Sequence, residues 1–587
     1  MKRLAFARDF RFGADFVPDG HVILRGNSNG IVLAEEAGLM KLTFTAPTVP
    51  LRRLRVAEFD LDPAIFPPEK TLFKRSGAWS PGDPSPTVPL SKTAPADDQA
   101  WRCRDVRKDG TIRYRSDLFA IFHSPMSGRT FITGFVTAFR QATRIHAEIP
   151  PDGKALRVRC VTYPHGAVPS IPKPVQSELL YVAEAATPEK ALEGYLKLLY
   201  KNCGGIKARE LTGWSDWQYY RRSKTEEHVT SNVDVLREQG YPVRVVMIDD
   251  GFQKSFGDWL DTNDKFKHDM RWVAQYIRDK GFEPGVWIAP FTVRLDSDLA
   301  KAHPDWLLKG RDGKLLSRTS HMGDVVALDM THPEALVWLD RLVRTFVHDY
   351  GYKWVKLDGP IIRYIEAGAF YDRDATPVSM IRKSIEVIRK ACGPDVVLEG
   401  EGYYGPCIGL VDTQRVTQDI QPTWPEMRNT TRDNLASTYW HGRFWANNPD
   451  AFILRDTPSP YCEPPQPERV LTRSEIELET TALALTGGVA MLTDRMDILK
   501  PERAALIDAF LPVHIEAAKP LAGDFMHSPY PERFVLTIRK PWSKWWIGAC
   551  FNWDDKPRSF DYPMPGGVKK PVVVDFWKMK LLPVKGG

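Results

Sequence analysis

No stretch of this chain approaches the roughly 18 unbroken apolar residues that a membrane-spanning helix requires, so no membrane partner is expected. Cysteine is scarce. Seven residues, Cys103, Cys160, Cys203, Cys392, Cys407, Cys462 and Cys550, lie scattered over 587 positions. The set is odd in number, has no C-x-x-C pair and no histidine at ligand spacing, which argues against a disulfide framework and against a zinc site. Charge of one sign is missing too. Lys and Arg number 80 against 74 Asp and Glu, leaving a formal charge of +6 spread along the chain. No nucleic-acid footprint follows from so even a distribution. The opening MKRLAFARDFRFG lacks the apolar core of about 7 to 15 residues that a secretory signal needs, because Arg8, Asp9 and Arg11 interrupt it. A reducing cytoplasm is the expected compartment, with the periplasm or the exterior as the alternative where a signal has been removed.

What is present is the composition of a globular protein, 43% apolar and 26% charged, in a chain too long for a single core. From the N-terminus to about Tyr163, short β-branched and aromatic runs recur between turn signals: GLMKLTFTAP, LRRLRVAEFDL, SDLFAIFHSPMSGRTFITGFVTAF and ATRIHAEI. They read as an antiparallel β-sandwich. The Pro-rich connection YPHGAVPSIPKP then leads to a strand in SELLYVAEA and to Thr187-Pro188-Glu189, an N-cap with proline at the first helical position. Beyond Gly205 apolar strands alternate with amphipathic helical stretches: VRVVMID, DMRWVAQYIRDK, EPGVWIA, HPEALVWLDRLVRTFVHDYG, WVKLD, VSMIRKSIEVIRKACG and VVLEGE. Repeated β-then-α units over about 300 residues predict a closed (β/α)8 barrel. After about Leu511 strands return in RFVLTIRK, WWIGACFNW and PVVVDFW. The expected fold is therefore multidomain: an N-terminal sandwich with linker helix at 1–205, a central TIM barrel at 206–510 and a small C-terminal β domain at 511–587.

Acidic residues recur where barrel strands should meet their loops, in VVMIDDGF, YKWVKLDG, VVLEGEG and RVTQDIQP. Strand ends converging on one mouth are how a barrel assembles the paired carboxylates that break a glycosidic bond. Asp358 closes the strand YKWVKLD, and Lys356 shares its face because side chains alternate. A cation beside it keeps an aspartate ionised, as a nucleophile must be; an exposed Lys/Asp pair at a strand end fits equally. Asp419 follows a strand, with Arg415 four residues earlier. It suits a general acid if burial and a neighbouring carboxylate raise its proton affinity, although a loop aspartate is more often a cap. Asp249 and Asp250 end VRVVMIDD and point to opposite sides, so at least one faces the mouth, with loop capping as the competing explanation. Trp214 and Trp217 in GWSDW offer aromatic faces to a pyranose; with 18 tryptophans in the chain, core packing explains either one as well.

The ordered series GWSDW, IDDGF, GVWIAPF, HPDW, LDMTHPEA, WVKLDG and RVTQD resembles the retaining α-galactosidases of glycoside hydrolase families 36 and 27, from about Leu211 to Asp494. The long N-terminal sandwich is more similar to family 36. The resemblance implies Asp358 as nucleophile with Lys356 as a sugar-binding partner, and Asp419 as acid/base. It implies that Asp249 and Asp250 hold the galactose 4- and 6-hydroxyls, that Trp217 lines the same pocket, and that Arg415 contacts the 2-hydroxyl. Glu401 stands where family 36 usually has a cysteine; as in family 27, an acid there accepts from the 2-hydroxyl and leaves an N-acetyl group unsatisfied. Phe252 and Phe291 replace a usual Trp and Glu, which leaves linkage preference open.

The expected activity is release of terminal α-D-galactose with retention, by a mechanism needing neither metal nor organic cofactor. α-N-Acetylgalactosaminidase, β-L-arabinopyranosidase and galactosyl transfer are the alternatives on the same barrel; a non-catalytic sugar-binding barrel is disfavoured because both Asp358 and Asp419 are present. The expected partner is a carbohydrate, and a homo-oligomer is compatible with the sequence.

Overall fold

The computed structural model describes residues 6–16, 21–28, 30–45, 51–76, 86–93, 103–164, 173–206, 209–320, 323–358, 365–402, 404–461, 471–521, 523–526, 529–563, 573–575 and 580–582. The first five residues, most of the Pro-rich connection after Tyr163, and Cys462 lie outside the described residues.

Alternation forms the N-terminal strands. In Leu51–Leu61 and Ala142–Ile149 apolar side chains take one face while arginines and acids take the other. A seven-stranded and an eight-stranded antiparallel sheet close their apolar faces on each other, burying Leu54, Phe59, Phe122, Phe131, Ile145 and Val158. On the polar face Glu58 pairs with Arg11, Arg55 and Arg159. The eight-stranded sheet receives the helix Pro188–Cys203, opened by the Thr187 cap. Gly134 makes the approach possible: a Cβ there would stand 2.5 Å from the Tyr195 ring, whose hydroxyl donates to Phe135 O at 2.8 Å. Leu118, Phe119 and Val136 join the same core as the barrel, so sandwich and barrel meet through an apolar contact. Lys74 is enclosed at this junction, where it donates to Ala436 O at 3.1 Å and burial pushes its ammonium down to about 7.

Eight parallel strands form the barrel: β1 (Thr212–Ser215), β2 (Val245–Ile248), β3 (Glu283–Ile288), β4 (Trp354–Leu357), β5 (Val397–Gly400), β6 (Thr413–Arg415), β7 (Ala446–Asn448) and β8 (Ala490–Leu492). Neighbours pair in sequence order from β1 to β7, and β8 pairs with β1. Two backbone hydrogen bonds bring β7 to β8: Val489 N–H to Asn447 O at 2.8 Å and Phe452 N–H to Met491 O at 3.0 Å. Gly488 permits that approach, since a Cβ would fall 2.2 Å from Asn447 O. Amphipathic helices such as Met270–Asp279, Pro333–Arg344 and Pro377–Cys392 cover the outside with their apolar stripes. Among the described residues between β5 and β6 the single helical turn Tyr404–Cys407 stands in place of a full helix, so the repeat is irregular at that point.

Past the helix Pro501–Phe510, strands Lys519–Pro520, Arg533–Lys540 and Ser543–Cys550 form an antiparallel sheet, and Val573–Asp575 pairs with Lys580–Leu582. Phe534, Leu536, Ile538 and Phe551 pack there against Leu435, Ala482 and Leu485 of barrel helices. The barrel with a sandwich before it and a small sheet after it matches the architecture expected from the sequence. Among the described residues no helix is long and apolar enough to cross a membrane.

Candidate active site

Strand ends place the candidate side chains at the C-terminal mouth of the barrel, the face where barrel enzymes build their chemistry. Alternation along β4 aims Lys356 and Asp358 the same way. The Lys356 ammonium lies 3.0 Å from Asp249 Oδ2 and 3.8 Å from Glu401 Oε2. Burial opposes its charge, yet Asp249, Glu401 and Glu399 outweigh that and hold it well above the usual lysine value. Lys356 therefore stays an ammonium. Asp358 continues the ladder, its N–H donating to Ile288 O at 2.9 Å, and its Oδ2 accepts from Trp287 Nε1 at 3.3 Å. Asp249 and Asp250 lie just past the end of β2, where the chain turns, and take different partners. Asp250 accepts from Gln253 Nε2 at 2.5 Å and faces Arg222 at 3.4 Å, and burial raises its carboxyl. Gly251, at φ 121°, lets the chain turn here: a Cβ would stand 2.9 Å from Arg222 Cα.

Arg415 is the second hub. Its guanidinium, 1% exposed, bonds Glu401 Oε1 at 3.1 Å and Asp419 Oδ1 at 2.9 Å, and lies 3.4 Å from Asp450 Oδ1. Asp450, strained at φ 83°, also accepts from Ile420 N–H at 2.7 Å and Gln218 Nε2 at 3.0 Å, fastening the loop that carries Asp419. Burial and then the Asp358 charge push the Glu401 carboxyl well above the usual range, against Arg415 and Lys356. The negative charges of Asp358 and Asp419 both oppose ionisation of Glu401.

Removing the hub should be costly. Arg415→Met removes the cation shared by Glu401, Asp419 and Asp450 and leaves Lys356 as the remaining cation beside Glu401, and the expected loss in urea unfolding at pH 7 is about 3 kcal/mol. Arg415 lowers the Asp419 carboxyl. That pair's stabilisation is present above the ordinary carboxylate range and is lost as pH falls through the lowered value. The gap between wild type and variant should therefore narrow in acid.

Asp419 itself departs from expectation. The sequence reading asks for a proton affinity raised by burial and a neighbouring carboxylate, but the carboxyl is held below its ordinary value. The crowded mouth opposes ionisation; Arg415, with Lys356 and Arg221, overrides it. The side chain is 47% exposed and keeps its contact with Arg415. Trp217 opens the short helix Trp217–Tyr220 after β1 and lines the cavity with Asp249, Lys356, Glu399, Asn448 and Asp450. Trp214, the alternative aromatic, is fully buried in the core, with its Nε1 donating to Asp494 O at 2.8 Å.

Glu399 and Asn448 escaped sequence reasoning. Glu399 shares the face of Glu401 by the same alternation that pairs Lys356 with Asp358, and it accepts from Trp354 Nε1 at 2.9 Å and Asn448 Nδ2 at 2.7 Å. Asn448 carries no signal of its own. Among the described residues no group of three or more His, Cys, Asp or Glu is placed to hold a metal.

Residues 224–371 match the family model described as Melibiase. The resemblance is to the melibiases. The melibiase-like segment contains Asp249, Asp250, Lys356 and Asp358 and stops short of Glu401, Arg415 and Asp419. An α-galactosidase of Escherichia coli is 35% identical over 69 residues, 11% of this chain and 10% of that protein. The myogenesis-regulating glycosidase of Mus musculus is 24% identical over 154 residues, 26% of this chain and 21% of its own. The matched stretches are thus short parts of those curated relatives. In fold the likeness is much wider. TtGalA, an α-galactosidase of Thermus thermophilus solved with p-nitrophenyl α-D-galactopyranoside, superposes with TM-score 0.62 at 22% identity, over 89% of this chain and 97% of that one. The galactosidase domain of the α-galactosidase/sucrose kinase AgaSK gives 0.61 at 14% identity, over 98% of this chain and 82% of that one.

Proposed function

We propose that this chain is a retaining, exo-acting glycoside hydrolase that releases terminal α-D-galactose from oligosaccharides or galactosides. The observation that carries the reading is the grouping of Asp249, Glu401 and Asp419 around the two cations of the mouth, Lys356 and Arg415, with Asp358 two residues beyond Lys356 at the same strand end. The melibiase-like segment and the sugar-bound Thermus neighbour support it.

Asp358 attacks the anomeric carbon while Asp419 gives a proton to the departing oxygen, through an oxocarbenium-like transition state. Water activated by Asp419 then cleaves the β-galactosyl ester, so configuration is retained; carboxyl groups about 5–5.5 Å apart serve this chemistry. Trp217 packs on the apolar side of the ring, Asp249 and Asp250 accept from the 4- and 6-hydroxyls, and Arg415 and Glu401 meet the 2-hydroxyl. No step uses a metal or an organic cofactor. An ionised resting Asp419 must gain its proton in the complex. A bound sugar that takes up Arg415 donors and expels water acts in that direction, since both changes raise a carboxyl.

Glu401 fits a free 2-hydroxyl. Fixed by Arg415 and faced by Lys356, its carboxyl leaves an N-acetyl group unsatisfied. Turnover of p-nitrophenyl α-galactoside, α-N-acetylgalactosaminide and β-L-arabinopyranoside by the purified chain tests this. The α-galactoside should be preferred by at least about 100-fold over the N-acetyl sugar. Preference for either other glycoside would reassign the sugar, and no turnover of any would overturn the hydrolase reading.

A further inference from the structure

The short segment Arg221–Lys224, between β1 and the helix Glu226–Gln239, reaches the sugar-contacting residues with three cations. The Arg221 guanidinium lies 5.2 Å from the centroid of the Trp217 ring, and Arg222 faces Asp250 at 3.4 Å. Lys224 goes further. Its ammonium bonds Asp216 Oδ1, and both side chains are 0% exposed. The same oxygen accepts the Asp249 N–H at 3.0 Å, and the ammonium lies 5.8 Å from the Trp217 ring centroid. One ion pair therefore touches the backbone of Asp249 and the ring of Trp217.

Stability alone is a poor reason for such a pair. Taking two charges fully out of water costs several kcal/mol each, and apolar residues of similar volume often serve a fold as well or better. Among the described residues Asp216 Oδ2 is buried without a hydrogen-bond partner, so Lys224 and the Asp249 N–H compensate one carboxylate oxygen and not the other. What the pair supplies is geometry. Asp216 precedes Trp217 directly at the end of β1, while Asp249 follows β2, the neighbouring strand. Lys224 is anchored from the other side, because Thr225 caps the next helix and Lys265 Nζ bonds Arg222 O. Arg221, a non-glycine residue at φ 47°, turns the chain between the helix Trp217–Tyr220 and Lys224, and its Nη2 donates to Gln421 Oε1 at 3.1 Å.

We propose that the buried Lys224–Asp216 pair is a positioning element that sets the spacing between the Trp217 ring and the Asp249 carboxylate, and with it the hold on the sugar's 4- and 6-hydroxyls. This rests on the reading of those two residues as galactose contacts. The pair touches neither Asp358 nor Asp419 in its bonding, so losing it weakens sugar binding more than the chemical step.

Calorimetric titration with galactose and steady-state turnover of p-nitrophenyl α-galactoside test this in wild type, Lys224→Met and Asp216→Asn, with circular dichroism and urea unfolding as fold controls. Lys224→Met should raise the galactose Kd and KM about tenfold while kcat stays within about threefold. Asp216→Asn keeps an oxygen for the Asp249 N–H and for Lys224, and should retain most of the wild-type affinity. If Lys224→Met does not fold, the double variant Asp216→Asn with Lys224→Met leaves no lone buried charge and carries the same tenfold expectation. A folded variant with wild-type Kd, or one that loses kcat at unchanged KM, overturns the positioning role alone. A wild type that binds no galactose and turns over no galactoside overturns it together with the hydrolase reading.

Discussion

Asp358→Ala should lower kcat/KM for p-nitrophenyl α-galactoside by at least about 10⁴-fold, the scale on which removal of a covalent nucleophile is felt. Structure and unfolding midpoint should be preserved. Asp358 stands half-buried at the mouth, and its charge is one of the causes that raise Glu401. Removing it relieves a like-charge contact, so the variant should be as stable as wild type in urea, or more so. Added azide should restore turnover, because the small anion fits where the carboxylate was and attacks the same carbon. A variant that retains turnover would place the nucleophile elsewhere; one that loses its fold would make Asp358 a structural residue.

Asp419→Ala should divide substrates by leaving group. Raffinose, whose departing sugar oxygen needs a proton, should lose about 10³-fold in kcat/KM. p-Nitrophenyl α-galactoside, whose phenolate leaves with little help, should lose far less in its first step. The lowered carboxyl of the empty site adds a pH signature. The basic limb of kcat/KM reports the free enzyme, where Arg415 holds Asp419 low; that of kcat reports the complex, where the sugar has taken up donors of Arg415. The kcat limb should therefore lie at higher pH than the kcat/KM limb. Coincident limbs would mean that substrate leaves the Arg415–Asp419 contact untouched.

The strands that were legible are those with one face buried. ATRIHAEI and RFVLTIRK lie in the strands Ala142–Ile149 and Arg533–Lys540, because a period of two over six or more residues has no competing reading, and LRRLRVAEFDL lies in Leu51–Leu61, where the alternation breaks at Val56–Ala57 with a register shift. Barrel helices were legible from their apolar stripes and caps. β7 was not: Ala446–Asn448 is three residues long, two of them asparagine, and its place is fixed by neighbours on both sides. At the site, alternation gave Lys356 its common face with Asp358, and the same rule extends to Glu399 and Glu401. The protonation of Asp419 was beyond sequence. Arg415 four residues earlier is visible as a letter, but the 2.9 Å contact that lets the cation prevail over burial is not. Asp216 and Lys224 were equally hidden, since two charged residues eight positions apart give no sign of being wholly enclosed.

Galactose released from p-nitrophenyl α-galactoside, followed by proton NMR before mutarotation mixes the anomers, tests the double displacement most directly. α-Galactose should appear first, with the β-anomer growing in later. β-Galactose appearing first would mean a single displacement by water, and would contradict the assignment of Asp358 as nucleophile.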